Sequence, residues 1–117
     1  MTVPLCNYMK VGLVHFMAFP QTMKGDGPIV ETIKKVVLDD YFTAIEITTV
    51  NDPVVRQKVK SLLEASHMQV AFAAQPRLLT TGLNLNDTNE EGRQKALANV
   101  KAGIDQAYEL GATGFRF

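Results

Sequence analysis

Several things are scarce in this chain, and each scarcity closes a route. It has one cysteine, Cys6, so no internal disulfide can form. Two histidines beside that one cysteine make no zinc-finger set. Charge of one sign is also missing: twelve basic residues balance twelve acidic ones. A polyanion binder normally carries a basic excess, so the balance argues against nucleic acid as a partner. No apolar run reaches the roughly 18 residues that a membrane helix needs. Residues 1–10 lack a charged start followed by an apolar stretch, so no signal peptide is read there. The expectation is a reduced, soluble, cytoplasmic protein without membrane or nucleic-acid partners.

What is present is an ordinary globular composition. Of 117 residues, 46% are apolar and 21% charged, which suits one domain or part of one and excludes disorder as the main reading. Residues 11–19, VGLVHFMAF, form a nearly continuous apolar run without charge. Such a run predicts a strand buried on both faces, as in a parallel sheet. A loop rich in Gly and Pro follows, and Pro28 stands where a helix can begin without losing a hydrogen bond. Ile29, Val30, Ile33, Val36 and Val37 then recur at helical spacing, with Glu31, Lys34 and Lys35 opposite. That first predicted helix runs to about Asp40 or Tyr41.

The plan repeats. Residues 44–50, AIEITTV, are short and rich in β-branched side chains, which predicts a strand. Asp52 is placed to cap the next helix and Pro53 to open it. Val55, Val59, Leu62 and Leu63 supply its apolar stripe, and it ends near Ser66. Residues 69–74 read as a third strand, followed by a predicted loop over 76–89, long for a βα connection. Thr88 and Glu91 have capping-box spacing. The third helix is expected from about Glu90 to Leu110, with Leu97, Val100, Ile104 and Ala107 on its apolar face and Gly111 ending it. Residues 113–117 begin a fourth strand.

The order is therefore β-α-β-α-β-α-β, an α/β fold with parallel strands joined by right-handed crossovers. An open doubly wound sheet and half of a (β/α)8 TIM barrel both fit. Neither G-x-G-x-x-G nor a P-loop motif occurs. Residues 24–27, KGDG, read as a turn.

The third helix carries a resemblance. Residues 90–96 (EEGRQKA) and 100–112 (VKAGIDQAYELGA) place Arg93 early in the helix, Ile-Asp-x-Ala at 104–107 and Leu-Gly-Ala at 110–112, just before a strand. This ordered set resembles the sugar phosphate isomerase/epimerase family, the xylose-isomerase-like TIM barrels. The opening strand with residues 11–13 (VGL) and the strand at 44–47 (AIEI) are similar too. The resemblance spans the whole chain but only the N-terminal half of a barrel, so it implies a truncated or independently folded half over residues 1–117. It implies a partial (β/α)8 barrel and metal-dependent proton transfer on a sugar or sugar phosphate. In the complete family member a divalent metal such as Mn, Mg, Co or Zn is expected. Its ligands lie mainly on strands five to eight, so none is assigned in this chain, which is expected to be inactive alone.

In a barrel, working residues sit at the C-terminal ends of strands and in the βα loops. That rule selects His15, Glu46, Gln75, Arg77 and Arg116 as substrate-binding candidates. Glu46 lies between Ile45 and Ile47, so its carboxylate needs a partner, and Arg116 is the obvious one. The pair is either structural or a positioner of substrate hydroxyls. His15 can orient a hydroxyl or shuttle a proton, or be a satisfied core residue. Arg77 has a fork suited to a phosphate or sugar, or simply faces solvent in a loop. Asn84, Asn86 and Asp87 are carbohydrate-binding groups or turn formers. His67 falls on the opposite face and reads as structural. Cys6 has no partner in sequence that would make it a nucleophile. Phe16, Phe19 and Phe72 are core or the apolar walls of a sugar site, and Arg93 is expected to pair with an acidic neighbour.

Two other functions compete. A barrel-type repair endonuclease needs several histidine and carboxylate ligands on early strands, where only His15 stands. A non-catalytic half-barrel would instead associate with itself through the open edges of its first and last strands.

Overall fold

The computed structural model describes residues 2–117; of Cys6 only the backbone is described, so the reading of its thiol lies outside the described residues. Four strands appear: β1 (Gly12–Val14), β2 (Ala44–Ile47), β3 (Gln69–Ala73) and β4 (Gly114–Arg116). They pair in parallel in the order β1-β2-β3-β4. Five α-helices lie among the described residues: α1 (His15–Ala18), α2 (Ile29–Val37), α3 (Pro53–Ser66), α4 (Gln75–Thr81) and α5 (Glu90–Glu109).

The register sorts side chains to two faces. Leu13, Ile45 and Val70 share one row, and Ile47 and Phe72 the next, so these residues point the same way. Ile29 and Ile33 of α2, Val59 and Leu63 of α3, and Ala107 of α5 pack with them in the core. Helices α2, α3 and α5 therefore cover the same face. Each crossover steps one strand over in one direction, and a constant hand then places every helix on that side. The opposite face carries Val14, Ala44, Glu46, Ala71, Gly114 and Arg116 by alternation. No doubly wound arrangement, with helices on both faces, is present among the described residues.

Local chemistry accounts for the helix boundaries. Asp52 accepts a hydrogen bond from the Val54 amide at 2.8 Å and Pro53 opens α3. His67, in the left-handed region at φ 57°, closes it, a structural role at the N-terminal edge of the sheet. Helix α5 starts one residue later than its capping-box spacing predicts. Asn89 is the cap, its side-chain oxygen accepting from the Gly92 amide at 3.2 Å, while Glu91 pairs with Lys95.

Five expectations are corrected. The run 11–19 is strand only to Val14; from His15 it turns into the single-turn helix α1. The second strand stops at Ile47, and the first long helix ends at Val37. The predicted 76–89 loop contains α4, with Pro76 in its first turn, which leaves a shorter connection. The buried face of α5 is Ala96, Val100, Gly103 and Ala107, while Leu97 and Ile104 are exposed. Gly103 faces α4 and β3: a Cβ there would sit at ordinary contact distance, 3.5 Å from Arg77 Cδ and 3.6 Å from Ala74 Cβ and Phe72 Cε1. The buried face is mostly small, Val100 excepted.

Candidate functional site

The C-terminal ends of the four strands gather most of the polar side chains that sequence reasoning selected. Glu46 and Arg116 do meet. Arg116 donates from Nε to Glu46 Oε1 at 2.6 Å and from Nη2 to Glu46 Oε2 at 2.7 Å, a two-pronged charge-assisted contact. The pair spans β3 from β2 to β4. It can do so because Ala71 and Ala73 lie between them in register and present only methyl groups. Glu46 is largely covered, with 14% of its side chain exposed, and Arg116 lies over it at 61%. Barrel interiors are usually filled by bulky branched side chains; this face is small apart from the ion pair, Val14 and Gln69.

His15 follows β1 directly, but its ring is buried at 3% exposure, away from that pair. Its Nε2 lies 2.7 Å from Thr32 Oγ1. The Thr32 hydroxyl proton is already committed to the Pro28 carbonyl at 2.7 Å. The same hydroxyl lies 3.1 Å from the Ile29 carbonyl, so Thr32 ties the imidazole to the first turn of α2. Burial pushes its pKa down to about 4. The Phe19 ring packs against it, the centroids 5.5 Å apart. Thr22, Thr48 and Thr49 line the same small enclosed space.

Arg77 faces α5, not the Glu46 pair. It lies within α4, which corrects its placement as a solvated loop residue. Its Nε donates to Asn99 at 3.0 Å and its Nη1 to the Thr49 hydroxyl at 2.7 Å. The Thr49 hydroxyl donates in turn to Gln106 Oε1 at 3.1 Å, which also accepts from the Val50 amide at 3.0 Å. Arg56 completes the clamp, bound to the Val50 carbonyl and to Glu109. Partial burial lowers the Arg77 pKa, and no acidic side chain pairs with it among the described residues.

Gln75 opens α4 and faces a different way, into a groove of about 390 Å³ that it shares with Leu78, Leu79, Asn84, Asn86 and Phe117. Asn84 forms the turn predicted for this segment, its Oδ1 accepting from the Asn86 amide at 2.9 Å. The 24–27 segment is also a built turn. Gly25 and Gly27 have φ of 90° and 92°, and Asn51 donates to the Lys24 carbonyl at 2.9 Å. Phe16 is buried, and Phe72 lies in the helix-side core, stacked on Phe115, so it is not a wall of the open face. Arg93 pairs with Glu90, as expected.

Thr32, Thr49, Asn99 and Gln106 were not singled out by sequence. Thr48 and Thr49, polar members of the β-branched run 47–50, were the one available signal. Gln106 sits beside Gly103 and Ala107 on a helix and gives none. No three His, Cys, Asp or Glu side chains converge among the described residues. The metal implied by the resemblance finds no ligand set among the described residues. No helix among the described residues is long and apolar enough to cross a membrane. Comparison with protein-family models, curated proteins and solved structures finds no match.

Proposed function

We propose that this chain is the N-terminal half of a (β/α)8 barrel and supplies part of the substrate wall of a carbohydrate isomerase or epimerase. The observation that carries the reading is the sheet: four parallel strands in sequential order, helices on one face, and a bidentate Glu46–Arg116 pair on the other. Sequential order with one-sided helices is the plan of a barrel arc. The likeness of the 90–112 segment to the sugar phosphate isomerase family supports the substrate class. In this reading Glu46 accepts hydrogen bonds from sugar hydroxyls while Arg116 holds its carboxylate in place. The base and the metal ligands belong to strands beyond these four.

The test is calorimetric titration of the purified chain with neutral and phosphorylated aldoses and ketoses, beside an isomerisation assay with Mn²⁺, Mg²⁺, Co²⁺ or Zn²⁺. The reading expects weak sugar binding and no turnover. Turnover by residues 1–117 alone, or the failure of every sugar to bind, overturns it.

A second reading rests on the edges. Among the described residues β1 pairs only with β2 and β4 only with β3, so each presents unpaired backbone groups. Exposed Ile104 and Tyr108 flank β4 beside Phe115. A half-barrel of this kind associates with itself.

A further inference from the structure

Helices α2 and α3 pack side by side and leave a groove of about 730 Å³ on their outer surface. Val30, Pro53, Val54 and Leu62 give it an apolar lining, and Val54 is 64% exposed. Lys34 of α2 and Lys58 of α3 line it too, and neither pairs with an acid among the described residues. Glu31 lines only the adjoining depression toward Gly27. The same surface carries a projection of complementary character. Val30, Lys34 and Leu38 recur at four-residue steps, so they share one line along α2 and its C-cap. Leu38 is 80% exposed and Tyr41 63%. Between them stand Asp39 and Asp40, both exposed. Asp39 Oδ1 accepts from the Tyr41 amide at 3.0 Å, which holds the turn, and Asp40 has no partner among the described residues.

From this juxtaposition we infer that the α2–α3 surface is an interface for a second copy of this chain, the Leu38–Tyr41 turn of each copy seating in the groove of the other. Leu38 and Tyr41 meet the apolar lining, and the carboxylates of Asp39 and Asp40 meet the ammonium groups of Lys34 and Lys58. A surface that carries both a groove and its complement is self-complementary, and a twofold axis makes each contact twice. Leu38 lies one turn, about 6 Å, beyond Lys34 along α2. An axis crossing α2 between those two residues sets the helices antiparallel and brings the turn of one copy onto the lysines of the other. Burial of the leucine and tyrosine supplies the attraction. The exposed ion pairs add little energy but fix the register and exclude a like-charged partner. A different protein would have to bring an acidic, apolar turn of its own, whereas this chain already presents one. The surface uses neither the strand edges nor the C-terminal ends of the strands, so the inference is independent of the carbohydrate reading.

The experiment is sedimentation equilibrium of the full chain at low and high salt, with three variants. The chain should form a dimer that weakens as salt rises. Leu38→Ala removes an exposed side chain, so it should leave the fold intact and weaken the dimer by at least about tenfold. K34E/K58E makes groove and turn both acidic. D39N/D40K makes both basic, and its asparagine keeps an acceptor for the Tyr41 amide. Each of these two should be monomeric where the unaltered chain is dimeric, and an equimolar mixture of them should restore the dimer, since each groove then meets a turn of opposite charge. In a mixed sample of ¹³C-labelled and unlabelled chain, isotope-filtered NOEs should join the Leu38 methyls of one copy to Val54 or Leu62 of the other. A chain that stays monomeric, an association indifferent to Leu38→Ala and to both charge variants (the behaviour of strand-edge pairing), or a mixture that fails to restore the dimer would each overturn the inference. None of these results bears on sugar binding, which is measured separately.

Discussion

His15 offers the sharpest test of the fold's energetics. Its ring is buried and held by the hydrogen bond between Nε2 and Thr32 Oγ1. In the unfolded chain it takes up a proton near its ordinary pKa of 6.5; in the fold burial delays that to about 4. The unfolded state therefore binds the proton first as pH falls. His15 leaves stability intact above pH 6.5, removes it progressively between pH 6.5 and 4, and removes no more below that. The gap corresponds to about 3 kcal/mol, at a slope approaching 1.4 kcal/mol per pH unit. That is a large share of the roughly 5–15 kcal/mol that holds a domain of this size. Urea unfolding at pH 7, 6, 5 and 4 measures it, with the H15Q variant as reference. Glutamine can keep an N–H for Thr32 but does not titrate, so the variant should show a flatter profile across this window. Equal slopes for the two proteins, or the assigned His15 imidazole resonance titrating near pH 6.5 in the folded chain, would refute the reasoning.

Three further outcomes are expected. A double-mutant cycle on Glu46→Gln and Arg116→Met should give a coupling of about 1 kcal/mol by chemical denaturation, at the upper end for a pair with one exposed partner; a coupling indistinguishable from zero would mean the fork is not held in solution. Gly25→Ala places a Cβ 2.8 Å from Thr49 Cγ2 at a φ of 90°, so it should lower thermal stability by at least about 1 kcal/mol; an unchanged melting temperature would show that this turn relaxes freely. Sedimentation should reveal concentration-dependent self-association through the β1 and β4 edges, and a monomer persisting at millimolar concentration would remove the edge-pairing reading.

Much of the fold was legible because strand and helix periods alternate cleanly here. Asp52 and Pro53 announce α3, and Gly111, at φ 75°, lies just past the end of α5. The Glu46–Arg116 contact was legible for a physical reason: a carboxylate between two isoleucines needs a partner, and a parallel four-strand order brings Arg116 within reach. The failures share a cause as well. An apolar run such as 11–19 reads the same whether it is strand throughout or strand turning into α1. Likewise the face that α5 buries depends on how it meets β3 and α4, a tertiary fact that helical spacing alone does not contain. The clamp of Arg77, Thr49 and Gln106 joins residues from three elements, and no local pattern links them.

The central claim is that these strands form an arc with helices on one side only. Its most direct test is the network of inter-strand and helix-to-sheet NOEs in the ¹³C,¹⁵N-labelled chain. The account predicts backbone contacts β1–β2, β2–β3 and β3–β4, with helix methyl contacts confined to the Ile45, Ile47, Val70 and Phe72 side. Contacts of β1 with β3, or of any helix methyl with Glu46 and Ala71, would contradict it.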